Sequence, residues 1–294
     1  MTLQAIPKVE FAIVCGSANW GLSFPEDLDE PGVTVLERDM AFSTPWGETK
    51  EWKLVEIDGA ATPDRAARQV LVVWSHGWLL DEIDHGSQRR VFWALREAGV
   101  RTVLCCSTAG ALARGIFKGD FVIAADVLEL TQSQHSLLPG RVAFDCSGKQ
   151  LVCPVCSDVV EAAAKEVWPA GNRVYGRRAN LVAGHAWGPR LTSPAEARAY
   201  RALGADIINH SLAPEATLAR EIGACFVNCS FITVAYDDYF VSADEKIIAD
   251  DAIEKLRVPA SRTAIRSIAR FDAERRCLCA GLRTPQDRIH RERR

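Results

Sequence analysis

The chain has 294 residues with 35 Lys+Arg against 38 Asp+Glu, a formal net charge of -3 at pH 7, which is not the basic excess of a general nucleic-acid binder. Its hydrophobic content of 48% supports a substantial core, and no apolar run approaches the ~20 residues of a membrane-spanning helix. The expectation is a single large α/β domain over residues 1–294, in the cytoplasm, because the N-terminus lacks a charged-then-apolar signal.

Residues 1–8 read as a loose leader. Val9 to Cys15 is a first strand, Val33 to Phe42 and Glu51 to Ile57 flank a Pro-Trp-Gly turn as strands, and Val70 to Ser75 is a buried strand ending at His76. A loop over 78–87 precedes a helix from Gln88 to Ala98, then a strand from Arg101 to Cys106 and a long one from Phe121 to Leu130. Thr131 to Gly148 carries Pro, Gly and Ser and reads as an active-site loop. Ser157 to Val167 is a helix, and Arg173 to Ala183 is a strand pair or one bent strand.

The stretch from Gly188 to Tyr239 alternates capped helices with apolar runs. Ser193-Pro-Ala-Glu196 is a capping box: the Ser193 hydroxyl accepts from the Glu196 amide, and Pro194 fills the first helical position, where a missing N–H costs nothing. Gly204 closes that helix. Asp206 to Asn209 is a short buried strand with His210 and Ser211 at its exit, and Pro214-Glu215 opens a helix that Gly223 ends. Ala224 to Val234 is a buried strand leaving through Tyr236, Asp237 and Asp238; from Ala243 onward helices dominate, and the basic stretch Arg288 to Arg294 reads as a frayed, solvated helix end.

Of the ten cysteines, Cys15, Cys105, Cys106, Cys225 and Cys229 lie in apolar runs, as small buried hydrophobes do. Cys153-Pro-Val-Cys156 has redox or zinc spacing, but zinc needs a second pair, and Cys277-Leu-Cys279 is not spaced as a regular knuckle. No metal and no disulfide is therefore expected.

Several of these segments together resemble the purine nucleoside phosphorylase / 5'-methylthioadenosine phosphorylase family. The likeness rests on Gly188-Pro-Arg190, Ser193 to Glu196, Gly204-Ala-Asp206 with Ile208-Asn209, and Ala213-Pro-Glu215 followed by Leu218-Ala. Upstream it continues through Ile13-Val-Cys-Gly-Ser17, Ser75-His76-Gly77, Trp93 to Arg96, Gly99, Ser107-Thr-Ala-Gly110, Leu112 and Lys118-Gly-Asp120. It spans roughly residues 9–240 in the family's order, with 243–294 as a helical extension. The resemblance implies a phosphorylase/hydrolase-like three-layer α/β sandwich with a mixed, partly barrel-like central sheet, and a homotrimer.

It also implies a reaction. Phosphate attacks a nucleoside at the N-glycosidic bond and yields free base and pentose 1-phosphate, with phosphate as co-substrate and no cofactor; a methylthioadenosine-like or other 5'-modified nucleoside is the expected substrate. Carried over by motif, Ser17, His76, Ser107 and Ser211 bind phosphate, and Thr108, Ala109, Trp187, Leu191, Asn209 and Val234 line the substrate. The sequence departs from the family in several places. Ser75 stands where an Arg normally precedes the histidine; Arg89, Arg90 or Arg114 would have to compensate. Leu191 replaces the aromatic that stacks on the purine, Trp187 a common Glu, and His210 the methionine under the ribose. Val234 or Ala235 falls where an Asp or Asn meets purine N7, so Asp237 or Asp238 is the candidate to serve the leaving base. His210 is a candidate for contact with sugar hydroxyls or for an acid with a pKa near neutrality, and His185 could line the base site. A hydrolytic nucleosidase and a non-catalytic nucleoside binder are the alternatives.

Overall fold

The computed structural model describes residues 3–74, 86–131, 135–138, 142–144, 146, 149–187, 190–240, 250–272, 274 and 276–285. The apolar, β-branched runs become the strands of one mixed sheet: β1 (Phe11–Cys15), β2 (Val33–Met40), β3 (Trp52–Ile57), β4 (Arg68–Trp74), β5 (Thr102–Ala111), β6 (Phe121–Val122), β7 (Ala124–Glu129), β8 (Val174–Tyr175), β9 (Leu181–His185), β10 (Ile207–Asn209) and β11 (Cys225–Val234). Its order is β8-β6-β11-β5-β1-β4-β3-β2, with β10, β9 and β7 branching from β5. The helices are α1 (Ser87–Ala98), α2 (Pro154–Val167), α3 (Pro194–Ala202), α4 (Leu212–Ile222), α5 (Tyr236–Phe240) and α6 (Asp250–Arg270).

β5 runs five residues beyond Cys106. Its first half lies between β1 and β11, all parallel. Past the end of β1, β10 takes the vacated side in the antiparallel sense, pairing Ile207 and Ile208 with Ala111 and Gly110. The polar Ser107 and Thr108 thus sit between the end of the β1 pairing and the start of the β10 pairing, with β11 alone alongside them as a strand.

The run Phe121–Glu129 breaks into β6 and β7 at Ile123, because its two halves serve different neighbours: β6 pairs with β11 and β7 with β9. Asn228 on β11 satisfies the backbone at the break. Its Oδ1 accepts from Ala124 N at 2.9 Å and its Nδ2 donates to Val122 O at 3.1 Å. The pairings β11–β5–β10–β9–β7 and the continuous chain from β7 back to β6 close a ring, which is the barrel-like part of the sheet. Arg173–Ala183 likewise resolves into β8, a 3-10 turn at Arg177–Ala179, and the start of β9.

Two helix starts differ from expectation. α2 begins at Pro154 with Cys153 as its N-cap, three residues before Ser157, since proline fits the first turn. α4 begins at Leu212, so Pro214 lies within its first turn, where no intrahelical N–H bond is lost. The Ser193 capping box forms as read, and Gly204 takes the left-handed φ of 94° that ends α3. The C-terminal region is not all helix. After α6 the chain forms a 3-10 turn at Cys279–Leu282 and a strand, Arg283–Pro285, antiparallel to Val142–Phe144. The latter strand falls in the stretch read as a loop. Among the described residues, no helix is long and apolar enough to cross a membrane.

Candidate active site

The site grows from strand ends. β7, β9 and β10 are parallel and finish in register at Glu129, His185 and Asn209; β1 ends one residue before Gly16-Ser17. Carboxyl ends of parallel strands gather side chains from remote parts of a chain, which is where α/β folds keep ligands.

Asn209 is the hub. It is buried, and its Nδ2 donates to Ser107 Oγ at 3.1 Å and Thr108 O at 2.8 Å. Its Oδ1 accepts from Ser211 N at 2.8 Å, Ser211 Oγ at 3.2 Å and Leu212 N at 2.9 Å. Ser17 joins through Thr108: the two hydroxyls lie 2.8 Å apart, and Thr108 N donates to Ser17 Oγ at 3.1 Å. Ser107 Oγ lies 2.8 Å from Ser230 Oγ, which accepts from Asn228 Nδ2 at 2.9 Å. Ser17, Thr108, Ser107, Asn209 and Ser211 thus converge in one network. Ser211 stands at the N-cap position of α4, an 11-residue helix whose N-terminal dipole favours an anion, while Asn209 Oδ1 accepts from its first amide. Ser75 and His76 lie outside the described residues. Of the arginines that were to compensate for Ser75, Arg114 lies over the Tyr236 ring at 5.1 Å, and Arg90 lines a small cleft beside Trp74 and Lys50.

A second group lies at the ends of β7 and β9. Glu129 Oε1 bonds His135 Nε2 at 2.9 Å and accepts from Thr131 Oγ1 at 2.5 Å. Burial pushes the Glu129 carboxyl up, but these two bonds outweigh it and hold the pKa below the usual value. Trp187 packs between His135, with centroids 5.7 Å apart, and His185, at 5.5 Å. His185 is fully buried, and neither ring nitrogen has a hydrogen-bond partner among the described residues. Burial lowers its pKa to about 4.

His210 follows β10, with Nδ1 2.6 Å from Ala186 O. A nitrogen facing a carbonyl oxygen must carry the proton. Burial pushes the pKa down, so the ring is neutral at pH 7. That argues against the near-neutral acid and leaves contact with sugar hydroxyls as the role its chemistry suits.

The residues carried over by motif to the base side are largely apolar. Ala109 is buried, and Val234, also buried, is in register with Gly110 after a bulge at Thr233. A Cβ on Gly110 would collide with the Tyr239 hydroxyl. Burial, with a smaller contribution from the Asp238 charge, pushes the Tyr239 pKa up to about 12, so this hydroxyl stays protonated and able to donate at neutral pH. The structure does not bring Asp237 or Asp238 into the Asn209 network: Asp237 is exposed, and Asp238 Oδ2 accepts from Ala235 N at 2.6 Å at the start of α5. Leu191 is 63% exposed, whereas its neighbour Thr192 is buried with a hydroxyl that has no partner among the described residues. Tyr239, Thr192, Ser230 and Asn228 were not singled out from the sequence. For the last two a signal existed: polar residues at alternate positions of an apolar strand share one face.

A family model described as the phosphorylase superfamily matches residues 43–268. The chain belongs to this superfamily. Among similar superfamily proteins, the S-methyl-5'-thioadenosine phosphorylase of Thermofilum pendens (strain DSM 2475 / Hrk 5) is 29% identical over 93% of this chain and 96% of its own length. A probable S-methyl-5'-thioinosine phosphorylase of Methanothermobacter thermautotrophicus is 28% identical over 77% and 80%. Solved structures share the fold. A methylthioadenosine phosphorylase from an antarctic soil metagenomic library gives a TM-score of 0.73 at 20% identity, covering 94% of this chain and 91% of its own. Methylthioadenosine phosphorylase from Schistosoma mansoni in complex with adenine gives 0.68 at 23%, covering 89% and 91%.

Proposed function

We propose that the chain is a nucleoside phosphorylase, a pentosyltransferase acting on a methylthioadenosine-like or other 5'-modified nucleoside. The observation that carries this reading is the Asn209 network, which gathers Ser17, Ser107 with Thr108, and Ser211 from three separate segments at the N-terminus of α4. The names of the superfamily relatives supply the substrate class.

In the proposed reaction, phosphate sits beneath the sugar, held by the hydroxyls of Ser17, Ser107 and Ser211 and favoured by the α4 dipole. A phosphate oxygen attacks C1', the C1'–N bond breaks, and its electron pair leaves with the base. Positioning and preorganised donors carry most of such a reaction. Asn209 holds the hydroxyl set in place, neutral His210 faces the sugar, and Trp187 with Val234 forms apolar wall. Tyr239, protonated at neutral pH, is the donor we assign near the leaving base in place of Asp237 or Asp238. Phosphate is the co-substrate and no organic cofactor is needed. On the same resemblance we propose a homotrimer, checked by light scattering, in the cytoplasm.

Incubation with methylthioadenosine, methylthioinosine, adenosine and inosine, with and without phosphate, tests the reading. Pentose 1-phosphate is the expected product. Base release that ignores added phosphate would make the chain a hydrolase, a reading that Ser75 in place of the family arginine favours. Ligand-induced thermal stabilisation without any base release would leave only a binding protein.

A further inference from the structure

We propose that Cys153, Cys225, Cys277 and Cys279 form a tetrathiolate site for a single zinc ion, which ties the C-terminal segment to the body of the sheet. The four Sγ atoms all lie within 4.8 Å of one another. Four thiolates at the usual Zn–S distance of ~2.3 Å define a tetrahedron with an edge of about 3.8 Å, so small side-chain rotations complete the site. A cluster of several irons, with each thiolate on a different iron, would spread the sulfurs further.

The four donors come from three distant segments, which is why spacing alone hid them. Cys153 caps the N-terminus of α2, where the helix dipole favours a thiolate. Cys225 opens β11, and Cys153 N donates to Phe226 O at 2.7 Å, which fixes these two segments side by side. Cys277 and Cys279 arrive on the turn before Arg283–Pro285, itself held by its pairing with Val142–Phe144. The pair suggested by the sequence was Cys153 with Cys156, with Cys225 as plain core. The structure keeps Cys156 beside Cys153 and Cys225, and adds Cys277 and Cys279 to Cys153 and Cys225, with the Cys225 and Cys277 sulfurs 3.2 Å apart. None of the ten cysteines is in a disulfide.

Two features fit an ion here. Three of the thiols are buried and Cys277 is half-buried, as in a closed structural site with no position left for a reactant. A pocket of about 680 Å³, lined by Cys277, Cys279, Pro154 and Arg220, gives a metal a route in. The soft all-sulfur set selects zinc over magnesium or calcium. The site goes beyond the proposed phosphorolysis and does not depend on it.

The test uses the full chain, expressed with zinc and purified under reducing conditions. One zinc per chain by elemental analysis, with four sulfurs near 2.3 Å by X-ray absorption, is expected. A Cys277→Ser/Cys279→Ser double variant should lose the metal, and a Cys156→Ser variant should keep it. Should the double variant fail to fold, cobalt exchange into the wild-type chain decides: tetrahedral thiolate bands near one equivalent support the site. Less than about a tenth of an equivalent of zinc together with no cobalt uptake would overturn it. So would acid-labile sulfide with several irons per chain, or disulfides among these four cysteines in the reduced preparation.

Discussion

Asn209 illustrates how one amide can organise a site. It gives two hydrogen bonds to β5 and accepts three from the start of α4. An Asn209→Asp variant keeps the acceptors but cannot donate to Ser107 or Thr108. With buried groups left unpaired, it should lose about 1–3 kcal/mol of stability. The KM for phosphate should rise on the order of tenfold, which is about 1.4 kcal/mol. Urea titration and phosphate-dependent kinetics check this, and an unchanged KM would remove Asn209 from the site. His185 gives a second test. Its folded pKa is about 4, against about 6.5 in an unfolded chain. Below pH 6.5 the unfolded state therefore binds more protons, and stability falls with pH until about 4. At about 1.4 kcal/mol per pH unit, His185 should cost about 2 kcal/mol between pH 7 and 5. A His185→Leu variant should lack that share of the pH dependence; parallel urea midpoints at the two pH values measure it.

At the scale of elements, the Glu221 carboxylate near the end of α4 holds the segment after β7. It accepts from Ser136 Oγ at 2.7 Å, Leu137 N at 2.6 Å and Leu138 N at 3.0 Å. Glu221→Ala orphans these donors and should cost about 2–4 kcal/mol. Amide exchange at 136–138 should accelerate; unaltered exchange would count against the clamp. Glu221 also marks where the sequence stops being informative. Capped helices and buried strands were legible because caps, glycines and apolar runs act locally: Ser193, Gly204 and Gly223 end up where they were read. The Asn209 motif pointed to the site because it sits at a strand exit. The break at Ile123, the extension of β5 through Ala111, and the gathering of Cys153, Cys225, Cys277 and Cys279 were not legible. Each depends on which remote strand or turn lies alongside, and no local pattern encodes that. The bounds of the helix at Tyr236–Phe240 were not legible, although Asp237 and Asp238 admitted a reading as a polar strand exit or a helix cap, and Asp238 does accept from Ala235 N at the start of α5.

Across the whole molecule, the far end of the chain supports the near end. α6 lies against the turn after β1, where buried Asn19 donates from Nδ2 to Ser261 Oγ at 2.7 Å and Arg257 Nη1 donates to Trp20 O at 3.2 Å. On the same turn Asn19 Oδ1 accepts from Gly16 N at 3.4 Å, beside Ser17. Ser261→Ala lies outside the Asn209 network, yet it should leave Asn19 short of a partner at about 1–3 kcal/mol. It should raise the phosphate KM several-fold while leaving kcat nearly unchanged. A lowered kcat with an unaltered KM would refute that support. Arg68 makes a similar link, its Nη1 donating to Ile268 O at 2.7 Å and Phe271 O at 2.5 Å at the end of α6.

This splint across some 240 positions has a bearing on biosynthesis. While the ribosome is still making the polypeptide, the glycine-serine bend lacks its backing until α6 has emerged. Nascent or prematurely terminated products that stop short of that helix should therefore be inert towards phosphate, and competence should arrive late and all at once.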